Sequence, residues 1–323
     1  MKAAVLHQLG AAPRYENFPD PVAADDSRVL ITVKAASVKN LDKARASGTH
    51  YAKHTNLPEI VGIDGVGILP DGTRIYSQGI AGMIAEKALI NKNGYTPIPD
   101  AVDDITAAAL PNAVLGSAMA LKYRAEIKPG DTVLINGATG VTGQVAVQLA
   151  KYYGAKKVIA TGRNPESLKL LLELGADEVI SLKDKDETIS ARIREIHSNT
   201  PIASVIDYLW GHPAEIILHA FMGGGLNHIS TKIRFVTVGS MAGEEIKVTS
   251  NLLRSTAVEI LGSGFGSISA ELMRTLPAEI LPEMFRLAAA GKLKIETVTR
   301  PLKGIETAWS ENIPAGKRLV IVM

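Results

Sequence analysis

No cysteine occurs among the 323 residues. Disulfides, thiolate nucleophiles and any zinc site built on cysteine are therefore excluded. The formal net charge is only +2, and no basic cluster is dense enough to point to nucleic acid. No segment approaches 18 uninterrupted apolar residues, and the opening MKAAVLHQLG has no apolar signal core. The expectation is a cytoplasmic protein with no membrane partner. Seven histidines are present, and no metal site is expected of them. No Ser-His-Asp set or paired-carboxylate arrangement stands out, and neither internal repeat nor low-complexity segment is evident. With 46% hydrophobic and 21% charged residues, the chain fits a globular protein with a substantial core, as two domains or one large one.

The texture changes along the chain. Up to about residue 110, short β-type runs (Ala3–Leu6, Val29–Ala36, Gly65–Leu69, Ile75–Tyr76, Ile84–Ile90) are punctuated by turn formers such as PDPVAADD and LPDGTR. This reads as a mostly β domain. From Asp104 an alanine-rich helix is expected, interrupted at Pro111. From Asp131 strands and helices alternate, with strands at Thr132–Asn136, Lys157–Thr161, Glu178–Ser181, Ala203–Tyr208, Phe235–Gly239 and Val258–Leu261. Asn164 is placed to cap a helix, with Pro165 in its first turn and Gly175 at its end. Six strands alternating with helices predict a doubly wound parallel sheet. After Phe265 come a helix over Ala270–Ala290, broken at Pro277 and Pro282, and a final strand, Arg318–Val322, whose β texture suggests a return to the first domain.

The richest stretch is TVLINGATGVTGQVAVQLAKYYG, Thr132 to Gly154. An apolar run enters a glycine-rich turn and leaves as an amphipathic helix. Against the G-x-G-x-x-G template it reads Ala138, Gly140, Gly143, and alanine at the first position implies a slightly wider turn. Such a turn can be an ordinary βα loop. Within a βαβ unit it is the kind that holds a dinucleotide pyrophosphate, through the free N–H groups of a helix start. Thr139, Gly140, Val141 and Thr142 are the expected contacts.

Twenty residues past Gly143, where an acid would accept from a ribose 2′-hydroxyl, stand Thr161-Gly162-Arg163. A guanidinium there suits a 2′-phosphate, so the expected cofactor is NADPH rather than NADH. Gly162 would leave room for the phosphate, and Asn164 or Ser167 can add hydrogen bonds. The alternative for Arg163 is a plain surface arginine.

The whole chain resembles the medium-chain dehydrogenase/reductase superfamily, and within it the zinc-independent, quinone oxidoreductase-like branch. The segments that carry this are VLITVKAASVKNLDKARASG (29–48), LPEIVGIDGVGIL (57–69), AAALPNAVLGSAMAL (107–121), the glycine-rich turn, LLLELGADEVI (170–180) and GKLKIETVTRPLKGIETAW (291–309). The resemblance implies an α/β protein with a GroES-like β domain, residues 1–115 and 267–323, and an inserted Rossmann NADP-binding domain, residues 116–266. It departs from the zinc alcohol dehydrogenases of that superfamily at two informative places. Lys39 stands where those enzymes place a zinc-binding cysteine, and Gly62-Ile63-Asp64 replaces a Gly-His-Glu triplet. Neither ammonium nor isoleucine can ligate zinc, so a zinc-independent reaction is expected.

Without a Lewis acid, hydride delivery to an already electrophilic acceptor remains feasible, and quinones or α,β-unsaturated carbonyls fit. The expected site is a cleft near the nicotinamide. The resemblance places Gly239-Ser240 near the nicotinamide ribose, Gly264 and Phe265 near its carboxamide, and Lys317 close to the cofactor; the alternatives are strand-end turns for the first two and a solvated lysine for the last. Lys39 can orient a carbonyl, donate a proton if burial depresses its pKa, or pair with Asp42 or Asp64. Tyr51 lines the pocket or lies in a surface loop, and Asn112 and Ser117 are candidates to touch the nicotinamide. The leading expectation is an NADPH-dependent reductase of quinones or enones. Its alternatives are an enoyl-thioester or other alkene reductase, and a non-catalytic NADPH-binding sensor of the same fold. The resemblance further implies a homodimer or homotetramer through the Val258–Leu261 edge strand, which would otherwise be an exposed sheet edge.

Overall fold

A computed structural model describes residues 1–222 and 231–323. The chain divides into two compact units, Met1–Asn112 with Leu276–Met323, and Ala113–Thr275.

The second unit is built on six parallel strands: β1 (Thr132–Asn136), β2 (Lys157–Gly162), β3 (Glu178–Ser181), β4 (Ile202–Asp207), β5 (Ile233–Thr237) and β6 (Val258–Gly262). They lie in the order β3-β2-β1-β4-β5-β6. Between them run α1 (Val141–Tyr152), α2 (Pro165–Glu173), α3 (Asp186–Asn199) and α4 (Gly211–Ala220). The strand order reverses direction between β1 and β4. At such a switch point the loops part, and a crevice opens beyond the carboxyl ends of the strands. The central strands β2, β1 and β4 are buried on both faces, which is why their sequences are near-continuous apolar runs rather than alternating ones; all five residues of β1 are buried. Leu134, Ile159, Val205 and Phe235 from the sheet pack with Ile189, Ile193 and Ile217 from the helices.

Local signals end the helices where expected. The Asn164 side chain accepts from the Ser167 N–H at 2.9 Å with Pro165 in the first turn, so one of the unpaired N–H groups at the start of α2 is satisfied. At the other end Gly175 takes φ +109, and the paired bonds Ala176 N–H to Leu171 C=O and Gly175 N–H to Leu172 C=O close a Schellman motif.

The first unit holds a seven-stranded sheet and a three-stranded one. Its spine is the long strand Arg28–Val38, which pairs antiparallel with Asp64–Ile68, Lys87–Asn91 and the C-terminal strand Lys317–Val322. Thus the end of the chain is stitched to its first third, with Leu319 opposite Val38. Leu6, Ile31, Val33, Ile75, Ile90, Trp309 and Ile321 share the core. Three short strands, Arg14–Asn17, Glu59–Ile60 and Tyr95–Pro97, escape the sequence pattern because each is too short to show a period.

The prolines do not act as expected. Pro111 lies inside an unbroken helix, Asp104–Ala118, which continues as a π-helical stretch to Arg124. Pro277 and Pro282 likewise lie inside the single helix Ala270–Ala289. A proline inside a helix costs about 3 kcal/mol. In the second helix Leu276, Ile280, Leu281, Met284 and Phe285 are all buried. Burying such side chains is worth about 1.5–3 kcal/mol each, so packing outweighs the lost bonds. Residues Asp104–Arg124 are long and apolar enough, by length and composition alone, to cross a membrane, yet 67% of that window is buried inside the fold, as in a core helix.

Phe235 is fully buried at the centre of the parallel sheet. Phe235→Ala is expected to lower the unfolding free energy by about 3–5 kcal/mol, read as a lower urea midpoint at unchanged m-value.

Candidate functional site

The glycine-rich turn joins β1 to α1, and its glycines meet three different demands. Gly137 takes φ +78, the left-handed region, and a Cβ there would lie 2.7 Å from Cγ of Leu209. The conformational demand thus falls one residue ahead of the template's first position, and Ala138 keeps an ordinary negative φ. Gly143 lets the helix approach the turn, since its Cβ would come within 2.6 Å of the Ala138 backbone. Gly140 differs. As the N-cap of α1 it has φ −76, and a Cβ would meet nothing closer than the Gly137 carbonyl oxygen at 3.8 Å. Neither strain nor crowding inside the protein calls for glycine here. The first bond of α1 runs from the Gln144 N–H to the Gly140 carbonyl at 2.9 Å, so the N–H groups of Val141, Thr142 and Gly143 precede the helical ladder. Such a helix start suits a phosphate.

Behind the turn, the ends of three strands meet in a buried polar junction. Asn136 ends β1, Thr161 lies near the end of β2, and Asp207 ends β4; all three are fully buried. The Asn136 amide donates to Asp207 Oδ1 at 2.7 Å and accepts from the Thr161 hydroxyl at 2.6 Å. Thr161 Oγ1 in turn accepts from the Gly137 N–H at 3.1 Å, which ties the junction to the turn. Burial pushes the Asp207 carboxyl up to about 6, against the bonds from Leu209, Asn136 and Trp210 that favour its ionised form. None of these residues belongs to the dinucleotide template. Polar residues at the ends of apolar strands were the available signal.

At the end of β2, Gly162 has a different neighbour from the one expected. A Cβ on it would collide with the Thr139 side chain, so its missing side chain makes room for Thr139 of the glycine-rich turn rather than for a phosphate. Arg163 follows, exposed and without an ion-pair partner among the described residues. The next residue, Asn164, uses its side chain as the cap of α2.

Other expected residues also fall beyond the carboxyl ends of the parallel strands. Gly239 packs closely on the Tyr208 carbonyl, with a Cβ clearance of 3.0 Å, and the Ser240 hydroxyl donates to Glu244 at 2.7 Å. After β6, Gly264 leads into a 3₁₀ turn, Phe265–Ser267, and has open space around its Cα; the side chain of Phe265 lies outside the described residues. The Ser117 hydroxyl lies between the Thr142 carbonyl at 3.1 Å and the buried Tyr208 hydroxyl at 3.3 Å, and so serves packing behind the turn.

Four expected residues lie in the other unit, of which Asn112, in the helix Asp104–Ala118, is the last residue before the division. Lys39 is buried, and its ammonium is fully engaged with Asp64 at 2.6 Å, Asp42 at 3.2 Å, and the Ser37 carbonyl and hydroxyl at 3.0 and 3.2 Å. Asp42 also accepts from the Lys39 and Ile63 N–H groups, anchoring the helix Asn40–Ser47. Burial alone would depress the ammonium pKa, but Asp42 and Asp64 outweigh it and hold it above the ordinary value. Three ammonium protons shared among four acceptors describe an internal strut, not an acid ready to release a proton. Tyr51 is 76% exposed and stacks on His50, with ring centroids 4.1 Å apart. Lys317 begins the C-terminal strand and pairs with Glu296 at 3.2 Å.

A parallel sheet in this order, with a glycine-rich turn at its switch point, defines the Rossmann class. Residues 141–279 match the family model of zinc-binding dehydrogenases, a stretch that contains neither Lys39 nor Asp64. Over 96% of its length, and 96% of the relative's, the chain is 28% identical to a probable NADPH-dependent quinone reductase, tdiC, of Emericella nidulans. It is 28% identical to the quinone oxidoreductase of Sus scrofa over 72% of this chain and 71% of that one. Among solved structures, the quinone oxidoreductase of Thermus thermophilus, determined alone and with NADPH, superposes with a TM-score of 0.81 at 26% identity, covering 100% of both chains. The chain is thus similar, over most of its length, to zinc-independent quinone oxidoreductases of the medium-chain dehydrogenase/reductase kind, and its architecture is the GroES-like β unit plus Rossmann unit seen in them.

The glycines give a paired test. Gly143→Ala is expected to destabilise by about 1–3 kcal/mol through overpacking against the Ala138 backbone. Gly140→Ala should leave the thermal midpoint within about 2 °C while weakening dinucleotide binding. Melting curves and a calorimetric titration with NADP⁺ check both. For the strut, Asp64→Ala leaves a buried ammonium short of its main partner and should cost about 3–5 kcal/mol in urea unfolding.

Proposed function

We propose that this protein is an NADPH-dependent oxidoreductase that reduces a quinone or an α,β-unsaturated carbonyl without zinc. The observation that carries the reading is the pairing of two features at the strand ends of one sheet. One is Gly140 at the start of α1, whose open side no internal contact requires. The other is Arg163 at the end of β2, an exposed cation with no ion-pair partner among the described residues. The names of the Emericella nidulans, Sus scrofa and Thermus thermophilus relatives support it.

In this reading the N–H groups of Val141 and Thr142, with the backbone of Thr139 and Gly140, hold the pyrophosphate at the positive end of α1. Arg163 forks onto the 2′-phosphate. Gly239 and Ser240 lie along the ribose, Gly264 and Phe265 beside the carboxamide, and Lys317 near the cofactor. NADPH supplies the hydride when bound. Lys39 keeps its charge inside the β unit and takes no part in proton transfer, so the product's proton comes from solvent. With Lys39 engaged elsewhere, this reading assigns no side chain among the described residues to polarise the acceptor, so the acceptor must already be electrophilic. We further propose a cytoplasmic homodimer or homotetramer through β6, which lies at the edge of the six-stranded sheet.

Because Lys39 is saturated, a non-catalytic NADPH-binding role is the second reading. Turnover decides between them: NADPH oxidation is expected with quinones or enones in a panel that includes enoyl thioesters. Tight binding with no turnover on any acceptor would support the sensor instead. Arg163→Ala is expected to lower kcat/KM for NADPH by about 10²-fold, equivalent to roughly 2–3 kcal/mol of charge-assisted bonding, with kcat/KM for NADH nearly unchanged. A wild-type enzyme indifferent to the 2′-phosphate rules out this role for Arg163.

A further inference from the structure

The segment Asp207–Gly211, DYLWG, belongs to no dinucleotide template, yet it is wedged between two segments assigned above to the cofactor. Asp207 Oδ1 accepts from the Leu209 N–H at 3.1 Å and the Asn136 amide at 2.7 Å, while Oδ2 accepts from the Trp210 N–H at 3.0 Å. These bonds hold Trp210 at φ +54, ψ −159, a conformation that side-chain-bearing residues rarely adopt. On one flank the Leu209 side chain fills the space beside Gly137, within 2.7 Å of where a Cβ would stand. On the other, the Val238 N–H reaches the Asp207 carbonyl at 2.7 Å, and the Ala242 N–H reaches the Leu209 carbonyl at 2.7 Å. Gly211 closes the contact, since a Cβ on it would come within 2.8 Å of the Ala242 carbonyl.

We propose that Asp207 is a positioning residue of the dinucleotide site, whose ionised carboxylate holds Leu209 and Trp210 in the conformation that braces the glycine-rich turn and the 238–243 segment together. The inference rests on the nucleotide reading above. Three N–H donors converge on this carboxylate, and no acceptor among the described residues faces it. Protonation therefore sets a hydroxyl donor against amide donors and releases the Leu209–Trp210 turn. The groups packed around it carry no charge of their own. Asn136 comes from β1, Thr161 from β2 and Thr237 from β5, where it is opposite in register. Tyr208, held neutral by burial, is the titratable neighbour among the described residues.

The carboxyl titrates at about 6, so the pH dependence has a definite sign. Dinucleotide affinity should rise as pH rises through 6. Stability moves the other way. The folded state binds this proton more tightly than the unfolded chain, so the contribution is largest below about pH 4 and is lost between about pH 4 and 6. A purely structural role couples stability to pH without moving affinity.

The test measures the Kd for NADP⁺ by calorimetry between pH 5 and 8 in wild type and Asp207→Asn. Beyond the ligand's own pH dependence, wild type should bind about tenfold more weakly at pH 5 than at pH 8, because only about a tenth of the carboxylate is then ionised. The 2′-phosphate takes up a proton in the same range, so the diagnostic quantity is the difference between the two proteins. Asp207→Asn should bind weakly at every pH and keep only the ligand's own slope; equal slopes overturn the proposal. Should Asp207→Asn fail to fold, a variant with native Asp207 decides. The chain's two tryptophans are Trp210 and Trp309, and in Trp309→Phe the remaining fluorescence reports the turn directly. A Trp210 transition near pH 6 is expected, and a flat profile overturns the proposal. A wild type that binds no NADP⁺ at pH 8 removes the nucleotide reading itself, and with it the role of Asp207 in binding.

Discussion

Everything at the carboxyl end of the parallel sheet depends on one directional chain of hydrogen bonds that ends on a buried carboxylate. The Gly137 N–H gives to Thr161, the Thr161 hydroxyl gives to Asn136, and the Asn136 amide gives to Asp207. Each middle member both accepts and donates, so its orientation is determined by the member beyond it, and only an acceptor can terminate the chain. An ionised carboxylate is that acceptor. Left unsatisfied, any one of these buried groups would cost about 1–3 kcal/mol, so the four segments they join are set as a unit.

The β unit solves a similar problem with the opposite charge. Lys39 is an internal cation whose protons are all claimed, and Asp42 and Asp64 reach it from the helix Asn40–Ser47 and the strand Asp64–Ile68. Replacing such a group with a shape-matched apolar residue is often neutral, but removing one partner alone is costly. Removing any one member therefore leaves its partners buried and uncompensated. The cluster also bears on chemistry. A saturated ammonium is placed neither to polarise a carbonyl nor to yield a proton.

What was legible in the sequence was local. Asn164, Pro165 and Gly175 bound a helix because a cap, a first-turn proline and a left-handed glycine act within a few residues of themselves. The central strands of the parallel sheet were legible because doubly buried strands are near-continuous apolar runs. Pro111, Pro277 and Pro282 misled because the terms that override a proline, the burial of Leu276 or Phe285 among them, come from segments distant in sequence. Asp207 gave no signal for the same reason: its partner Asn136 is 71 residues away. Gly162 is needed for a contact that its neighbours in sequence do not reveal, since a Cβ there would meet the Thr139 side chain.

The three glycines of the turn show how a binding motif separates from a folding motif. Gly137 is required by its own backbone angle and by Leu209, and Gly143 by the Ala138 backbone; both demands would exist in a protein that bound nothing. Gly140 has no such demand, because its φ suits any residue and its surroundings are open. A glycine that the protein's own geometry does not require leaves room for something to approach from outside. At the start of α1, beside three N–H groups that precede the helical ladder, an anion is what that position favours. Folding accounts for the first and last glycines of the turn and leaves the middle one open to a ligand.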